Sequence, residues 1–236
     1  MKLRFVPLLR DTWTIYRTRW KVIVPLTMIV LAPQVLGDAL IGDFEVERIG
    51  SATDVFKLAS VPVAVAVNLA GEALLAGIVA AFVVEWRRGG ELGSLRAIAR
   101  KIPFGRLIVI DLMLALGTAT GLVLLVVPGV LVFTYLLIAP VLIEIEHLSI
   151  RDSIRRSIAL VQGSFWRVFG FALMVFAVSD ALAAALESPL HGASGEFVFQ
   201  LGIEAVIEPV TTVAIVVVTL ALIDLHAERT PAAPDP

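Results

Sequence analysis

The sequence contains no cysteine, and its 236 residues include only three histidines. Without cysteine the chain can form no disulfide, no thiolate metal site and no cysteine nucleophile. The histidines, His147, His191 and His226, share no metal-ligand spacing, and the sequence has neither a Gly-x-Ser-x-Gly nucleophile motif nor a phosphate-binding loop. We therefore expect no catalytic residue, no metal and no cofactor, and an enzyme is disfavoured.

Charged residues are also scarce, at 17% of the chain, whereas 58% of the residues are hydrophobic and the mean hydropathy is +0.93. A water-soluble domain carries about 25% charged residues. A helix needs about 20 apolar residues to cross the hydrocarbon core, because lipid offers no partner for backbone polar groups. Six stretches meet this requirement, approximately at 22–41, 61–84, 107–127, 130–146, 168–186 and 197–225. The composition predicts an all-α membrane protein with six transmembrane helices.

Lysine and arginine are concentrated between particular helices. All of the 19 basic residues except Arg48 and Lys57 lie in segment 1–21, in the loops 85–106 and 147–167, or in the C-terminal tail. Because loops rich in Lys and Arg remain in the cytoplasm, we predict a multi-pass protein of the prokaryotic plasma (inner) membrane with both termini cytoplasmic. This basic face suits anionic lipid head groups and is not evidence for nucleic acid.

Each basic segment also has the pattern of a short amphipathic helix that precedes a helical hairpin. These interfacial helices are predicted at about 5–19, 92–102 and 149–162, which suggests three similar units within one domain over 1–229. The tendency of any inner-face helix to be basic and aromatic explains the same pattern without a repeat. The proline-rich tail 230–236 is predicted to be disordered. The side chains that we expect to contact lipid or a partner are Arg96, Arg100, Lys101, Arg151, Arg155 and Arg156.

Glycine and proline mark two further features of the third and fourth predicted helices. Gly117-x-x-x-Gly121 places two glycines on one face, which permits close contact with another helix. Val127-Pro128-Gly129-Val130 has the composition of a tight turn, so we predict the hairpin loop there.

The stretch from Val127 to Gly170 combines several of these marks. It contains the Pro-Gly pair, Ala139-Pro140-Val141 followed by Glu144, a basic helix with Arg155-Arg156-Ser157, and Phe165-Trp166-Arg167. This pattern resembles the membrane domain attached to some bacterial glycerophosphoryl diester phosphodiesterases, and related stand-alone prokaryotic membrane proteins. The resemblance implies six spans and a mostly unknown function. Hydrolysis in the fused proteins belongs to a separate soluble barrel, so we expect no phosphodiesterase activity from these residues.

Ionisable side chains within the predicted transmembrane helices are the strongest functional signal, because placing them in lipid is costly. Several recur at i, i+4 and so share one helix face, and Pro209 predicts a break in the last helix. The candidate polar site comprises Asp38, Asn68, Glu72, Asp180, Glu204 and Glu208. One interpretation is a proton- or cation-responsive transport site. The alternative is that these groups only hydrogen-bond neighbouring helices or are hydrated near the outer surface.

Two functions follow from this pattern. The first is transport of a small solute, lipid or ion through a polar intramembrane site. Six helices are few for a complete carrier, so a homo-oligomer or a partner subunit would favour it. The second is a non-catalytic scaffold or lipid-organising protein that docks a partner through its basic interfacial helices. An enzyme that acts on lipid at the interface is the least favoured.

Overall fold

The computed structural model describes residues 3–41, 71, 74–84, 87, 103–187 and 196–229, and within these ranges all regular secondary structure is helical. A helical segment covers Leu74–Val84. The other helices are α1 (Phe5–Ile41), α2 (Phe104–Leu124), α3 (Val126–Leu136), α4 (Ala139–Glu146), α5 (Ile150–Gln162), α6 (Phe165–Glu187) and α7 (Glu196–Arg229). The predicted all-α fold class is confirmed.

Among the described residues, three apolar helical stretches are long enough to cross a membrane: Val126–Glu146, Phe165–Leu186 and Val198–Glu228. The first consists of α3 and α4, and the other two lie in α6 and α7. They coincide with the last three predicted transmembrane helices. Half of the predicted helix 61–84 and all of the interfacial helix 92–102 lie outside the described residues.

Helix α1 runs without interruption through the predicted interfacial helix 5–19 and the predicted first span 22–41. No residue around position 20 opposes a helix, and Pro25 removes only a single backbone donor. The inner face of the N-terminal half is buried at Leu8 and Ile15, whereas Trp13 is 57% exposed. This buried face packs chiefly along α7. The amphipathic half of α1 is therefore part of the packed bundle.

The described residues form two buried core clusters. The larger joins α1, the Leu74–Val84 segment and α3 to α7, and includes Leu142 and Phe171. The smaller surrounds Ile23 of α1 with residues of the same segment, α2 and α4. Other large apolar side chains stay outside, such as Leu116 at 59% and Leu173 at 54% exposure. Apolar surface on both the inside and the outside suits a helix bundle in lipid.

The turn between α2 and α3 lies at Leu125, whose backbone is extended. The turn that we predicted at Val127–Val130 lies instead at Leu125, because Pro128 and Gly129 fall in the first turn of α3. Proline suits that turn, where a backbone N–H has no helical acceptor. Gly129 instead permits close contact, since a Cβ on Gly121 would lie 2.6 Å from its Cα. The predicted packing role of Gly121 is confirmed.

Helices α3 and α4 are separated by a short turn at Leu137 and Ile138. Pro140 follows directly in the first turn of α4 and lacks the N–H that would continue the helical hydrogen bonding. The carbonyl of Tyr135, at the end of α3, accepts a hydrogen bond from the Ser157 hydroxyl of α5. Ser157 is fully buried. Helix α5 thus donates a hydrogen bond to a backbone carbonyl close to the turn that interrupts the apolar stretch Val126–Glu146.

Candidate functional site

A cavity of about 360 Å³ lies between α6 and α7. The two helices belong to separate candidate spans and are joined beside the cavity by a hydrogen bond of 3.0 Å between the hydroxyls of Ser179 and Thr211. Asp180 of α6 and Glu204 and Glu208 of α7 line the same space. We call it the acidic cavity. It brings hydroxyls and carboxylates together between two otherwise apolar helices.

The cavity unites three of the six side chains of the predicted polar site, namely Asp180, Glu204 and Glu208. Asp38 lies in the last turn of α1. Asn68 and Glu72 fall outside the described residues. Whether these three join the cavity stays a prediction.

The carboxylates of α7 follow the i, i+4 spacing that the sequence predicts. The Gln200 amide donates to Oε1 of Glu204 at 3.0 Å, which orients that carboxylate. Glu204 is half-buried, whereas Glu208 and Asp180 are exposed. The cavity therefore combines one oriented, half-buried carboxylate with two exposed ones.

Helix α7 continues through Pro209, so the predicted break at this proline was wrong. Proline removes one N–H, which costs the Ala205 carbonyl its usual partner. Contacts outside α7 stabilise the turns around this proline. Pro209 is buried, and Tyr16 of α1 donates to the Val206 carbonyl at 2.9 Å. Packing against α1 thus keeps the helix intact where the sequence alone favours a break.

Within the described ranges, no group of three His, Cys, Asp or Glu side chains could hold a metal ion. Asp180 lines the acidic cavity from α6, and Glu204 and Glu208 line it from α7. A cavity of this size, lined by carboxylates from two helices, suits an organic cation or a hydrated ion.

A family model for a domain of unknown function, DUF7847, matches residues 93–227. The chain belongs to the DUF7847 family. The match includes α2 to α6 and nearly all of α7, so the acidic cavity and α5 lie within the DUF7847 domain. No curated protein and no solved structure matches the chain. The resemblance to the phosphodiesterase-attached membrane domain stays a prediction.

Within the DUF7847 domain, α5 is the amphipathic helix predicted at 149–162. Its N-cap residue is Ser149, whose hydroxyl accepts from the Asp152 N–H at 3.3 Å and donates to the Asp152 carboxylate at 2.6 Å. Such a cap satisfies a donor that the first turn leaves without a partner. Ser153 and Ser157 are buried, and Arg155 is exposed on the opposite side. The helix therefore presents a basic outer surface.

The predicted lipid or partner contacts separate into two groups. Arg151 and Arg155 are exposed. Arg156 instead turns inward, and its Nε lies 3.4 Å from Oε2 of Glu146 at the end of α4. This ion pair holds α5 against the DUF7847 core, so Arg156 has a structural role. Arg96, Arg100 and Lys101 lie outside the described residues.

Sequence reasoning missed the hydroxyl pair and the Tyr16 contact. Ser179 and Thr211 are short polar residues of a kind that occurs in many membrane helices, and nothing in their spacing indicates that they meet. Tyr16 lies within the predicted interfacial helix 5–19. Its position two residues from Thr18 and four from Trp20 gives no sign of an acceptor on α7. These contacts depend on helix pairing and leave no local signal.

Proposed function

We propose that this protein is a six-span plasma-membrane transporter with cytoplasmic termini that binds a small cationic solute in the acidic cavity. The observation that carries the proposal is the placement of Asp180, Glu204 and Glu208 around one cavity between two apolar helices. Three carboxylates in such helices are costly unless a cation, a proton or water compensates their charge. A cation bound in the cavity would contact these carboxylates and would be released when the cavity opens to water.

The hydroxyls of Ser179 and Thr211 support a solute that also accepts or donates hydrogen bonds. Their pairing at 3.0 Å leaves lone pairs that can face the cavity. A volume of about 360 Å³ is at the lower end of the range of about 300–1,000 Å³ for small-molecule sites. The substrate class that fits is a small organic cation. A second copy of the chain would complete the translocation path.

The test is uptake of radiolabelled tetraethylammonium and sodium into vesicles that contain the purified full chain. We expect uptake of tetraethylammonium above that of protein-free vesicles. Loss of a charged contact worth about 1.5–3 kcal/mol predicts a decrease in affinity of about tenfold or more in Glu208→Gln and Asp180→Asn. The matched control is Glu228→Gln, which removes a carboxylate from the same helix outside the cavity.

The outcomes distinguish the two functions. Uptake that falls in Glu208→Gln but not in Glu228→Gln supports the cavity. No uptake of either cation by the parent chain would overturn the transport proposal. Uptake that is equal in all variants would place the path elsewhere in the chain and overturn the assignment of the cavity.

One observation favours the alternative scaffold function. Helix α5 is fastened to the core by Ser157 and Arg156, and it keeps Arg151 and Arg155 on an exposed face. A rigid basic surface of this kind could dock an acidic partner. A scaffold should tolerate Glu208→Gln and should lose its partner when Arg151 and Arg155 become glutamine. Arg156 is unsuitable for that test because its ion pair is structural.

A further inference from the structure

A second cavity, of about 520 Å³, lies where α5 turns into α6 and faces the end of α3. Its wall combines polar and aromatic side chains. They are Tyr135, Gln162, Ser164, Phe165, Trp166 and Arg167. We call it the aromatic pocket. Among the described residues, none lines both the aromatic pocket and the acidic cavity.

Among the described residues that line the aromatic pocket, Arg167 is the only charged one. It is half-buried. Elsewhere in the chain, Arg87 and Arg156 are paired with Asp224 and Glu146. Across the part of the chain that the structure describes, the Arg167 guanidinium has no carboxylate within ion-pair distance. A half-buried guanidinium offers several N–H donors in a planar fork that matches a phosphate group.

The aromatic side of the pocket suits the apolar part of the same ligand. The ring centroids of Tyr135 and Phe165 are 5.2 Å apart, and those of Phe165 and Trp166 are 5.3 Å apart. Trp166 itself is 75% exposed. Tryptophan with an arginine beside it at the end of an apolar helix is the combination found at the head-group level of a bilayer. This helix begins a candidate membrane span at Phe165.

An exposed apolar surface continues from the pocket along α6. Leu173, two helical turns beyond Trp166, is 54% exposed. A ligand whose phosphate contacts Arg167 could therefore extend a hydrocarbon chain along this helix. A soluble phosphate ester would use only the polar end of the pocket. The full combination matches an amphiphile with an anionic head.

We propose that the aromatic pocket is a specific site for the phosphate head group of an anionic membrane phospholipid, bound by Arg167 and flanked by Trp166. The lipid would lie where α5 joins α6. It would thereby stabilise the junction between the amphipathic helix and the membrane-spanning part of the DUF7847 domain.

The test uses the fluorescence of Trp166. The chain has four tryptophans, so Trp13, Trp20 and Trp86 are replaced by phenylalanine to leave a single reporter. The full-length variant is placed in vesicles of mixed phosphatidylglycerol and phosphatidylcholine in which only one of the two lipids carries brominated chains, which quench tryptophan on contact. We expect phosphatidylglycerol to be preferred by about fivefold, the factor for one basic residue near an anionic surface.

Variants then assign the preference to the pocket. Arg167→Gln should reduce the preference to near unity, whereas Arg167→Lys should retain part of it because the charge remains. Arg155→Gln is the matched control, since it removes an exposed arginine of α5 that does not line the pocket. Circular dichroism and gel filtration establish that each variant is folded.

Three results would overturn the proposal. Equal quenching by the two brominated lipids in the parent reporter chain would show that no anionic lipid is selected, and this result does not depend on any pocket variant. A preference that persists in folded Arg167→Gln would also refute it. If soluble glycerol phosphate abolishes the preference in the parent, the pocket takes soluble phosphate esters and the lipid assignment is wrong.

Discussion

At the scale of single residues, Tyr16 shows how a polar group is accommodated in the helix bundle. Its side chain is only 7% exposed, and its hydroxyl donates to the Val206 carbonyl of α7. Burial raises the pKa of Tyr16 above its ordinary value of 10.0, because the charged phenolate is less well solvated there. The protonated hydroxyl is therefore the form that joins α1 to α7.

Replacing Tyr16 by phenylalanine should lower the free energy of unfolding by about 0.5–1.5 kcal/mol, because the hydrogen bond to Val206 is lost. Since the folded-state pKa is raised, the folded chain holds this proton more tightly than the unfolded chain. The contribution of Tyr16 is complete below about pH 10 and falls as the pH rises through the folded-state pKa.

The measurement is unfolding of the parent and Tyr16→Phe in one detergent, followed by circular dichroism from neutral to strongly alkaline pH. We expect the difference between the two proteins to narrow above about pH 10. Comparing the two proteins at each pH removes the effect of the lysines, which are the same in both. A difference that stays constant across the alkaline range contradicts the prediction.

At the scale of helices, the contact between α2 and α3 depends on glycine. A Cβ on Gly121 would lie 2.6 Å from both the Cα and the N of Gly129, and on Gly117 it would lie 3.0 Å from Cγ1 of Val132. The first contact is with backbone atoms, which cannot move aside as a side chain can. The helices can approach closely only while Gly121 lacks a side chain.

Gly121→Ala should therefore destabilise the protein by about 1–3 kcal/mol, the usual range for overpacking. Gly105→Ala in the same helix is the matched control, because a Cβ there meets nothing within 4 Å. The control should be neutral or slightly stabilising, since alanine favours a helix over glycine. Unfolding of both variants in the same detergent tests this. Equal effects of the two substitutions would mean that α2 and α3 are not so close.

Helix α5 shows how an amphipathic segment can become part of the core. It is joined to α3 by Ser157 and to α4 by the pair of Arg156 with Glu146. The guanidinium of Arg106 also donates to the carbonyl of Leu148 at 3.5 Å, near the start of α5. These contacts fix the helix in place. The exposed Arg151 and Arg155 therefore lie on a helix that these contacts hold in place.

At the scale of the whole molecule, the distribution of basic residues predicts that the α2–α3 turn lies outside and α5 lies in the cytoplasm. The absence of cysteine allows each position to be labelled separately. Val127→Cys in the first turn of α3 and Ala159→Cys on α5 introduce single thiols at exposed positions. A membrane-impermeant maleimide added to intact cells should label Val127→Cys only, and both variants should react after permeabilisation.

The cysteine-free parent is the control for background labelling. Labelling of Ala159→Cys alone in intact cells would establish the inverted orientation. In that orientation the acidic cavity would lie nearer the cytoplasmic surface of the membrane. Labelling of both thiols in intact cells would place both positions on the outer face and refute the predicted crossing between them.

Several features followed from the sequence because they depend only on local composition and period. Apolar length identified the stretches that became α3 with α4, α6 and α7. Apolar spacing of about 3.6 residues identified α5, and the i, i+4 rule paired Gln200 with Glu204. The sequence also predicted the helix face of small residues at Gly121, although it did not indicate that α3 would contact this face.

Only the tertiary structure decided which distant groups meet. The sequence listed the carboxylates of α6 and α7, but the pairing of these helices placed Asp180 in the same cavity as Glu208. It likewise chose Glu146 as the partner of Arg156 and left Arg167 without one among the described residues. Propensity and period act over one or two helical turns, whereas these contacts depend on how whole helices pack, and no single segment encodes that.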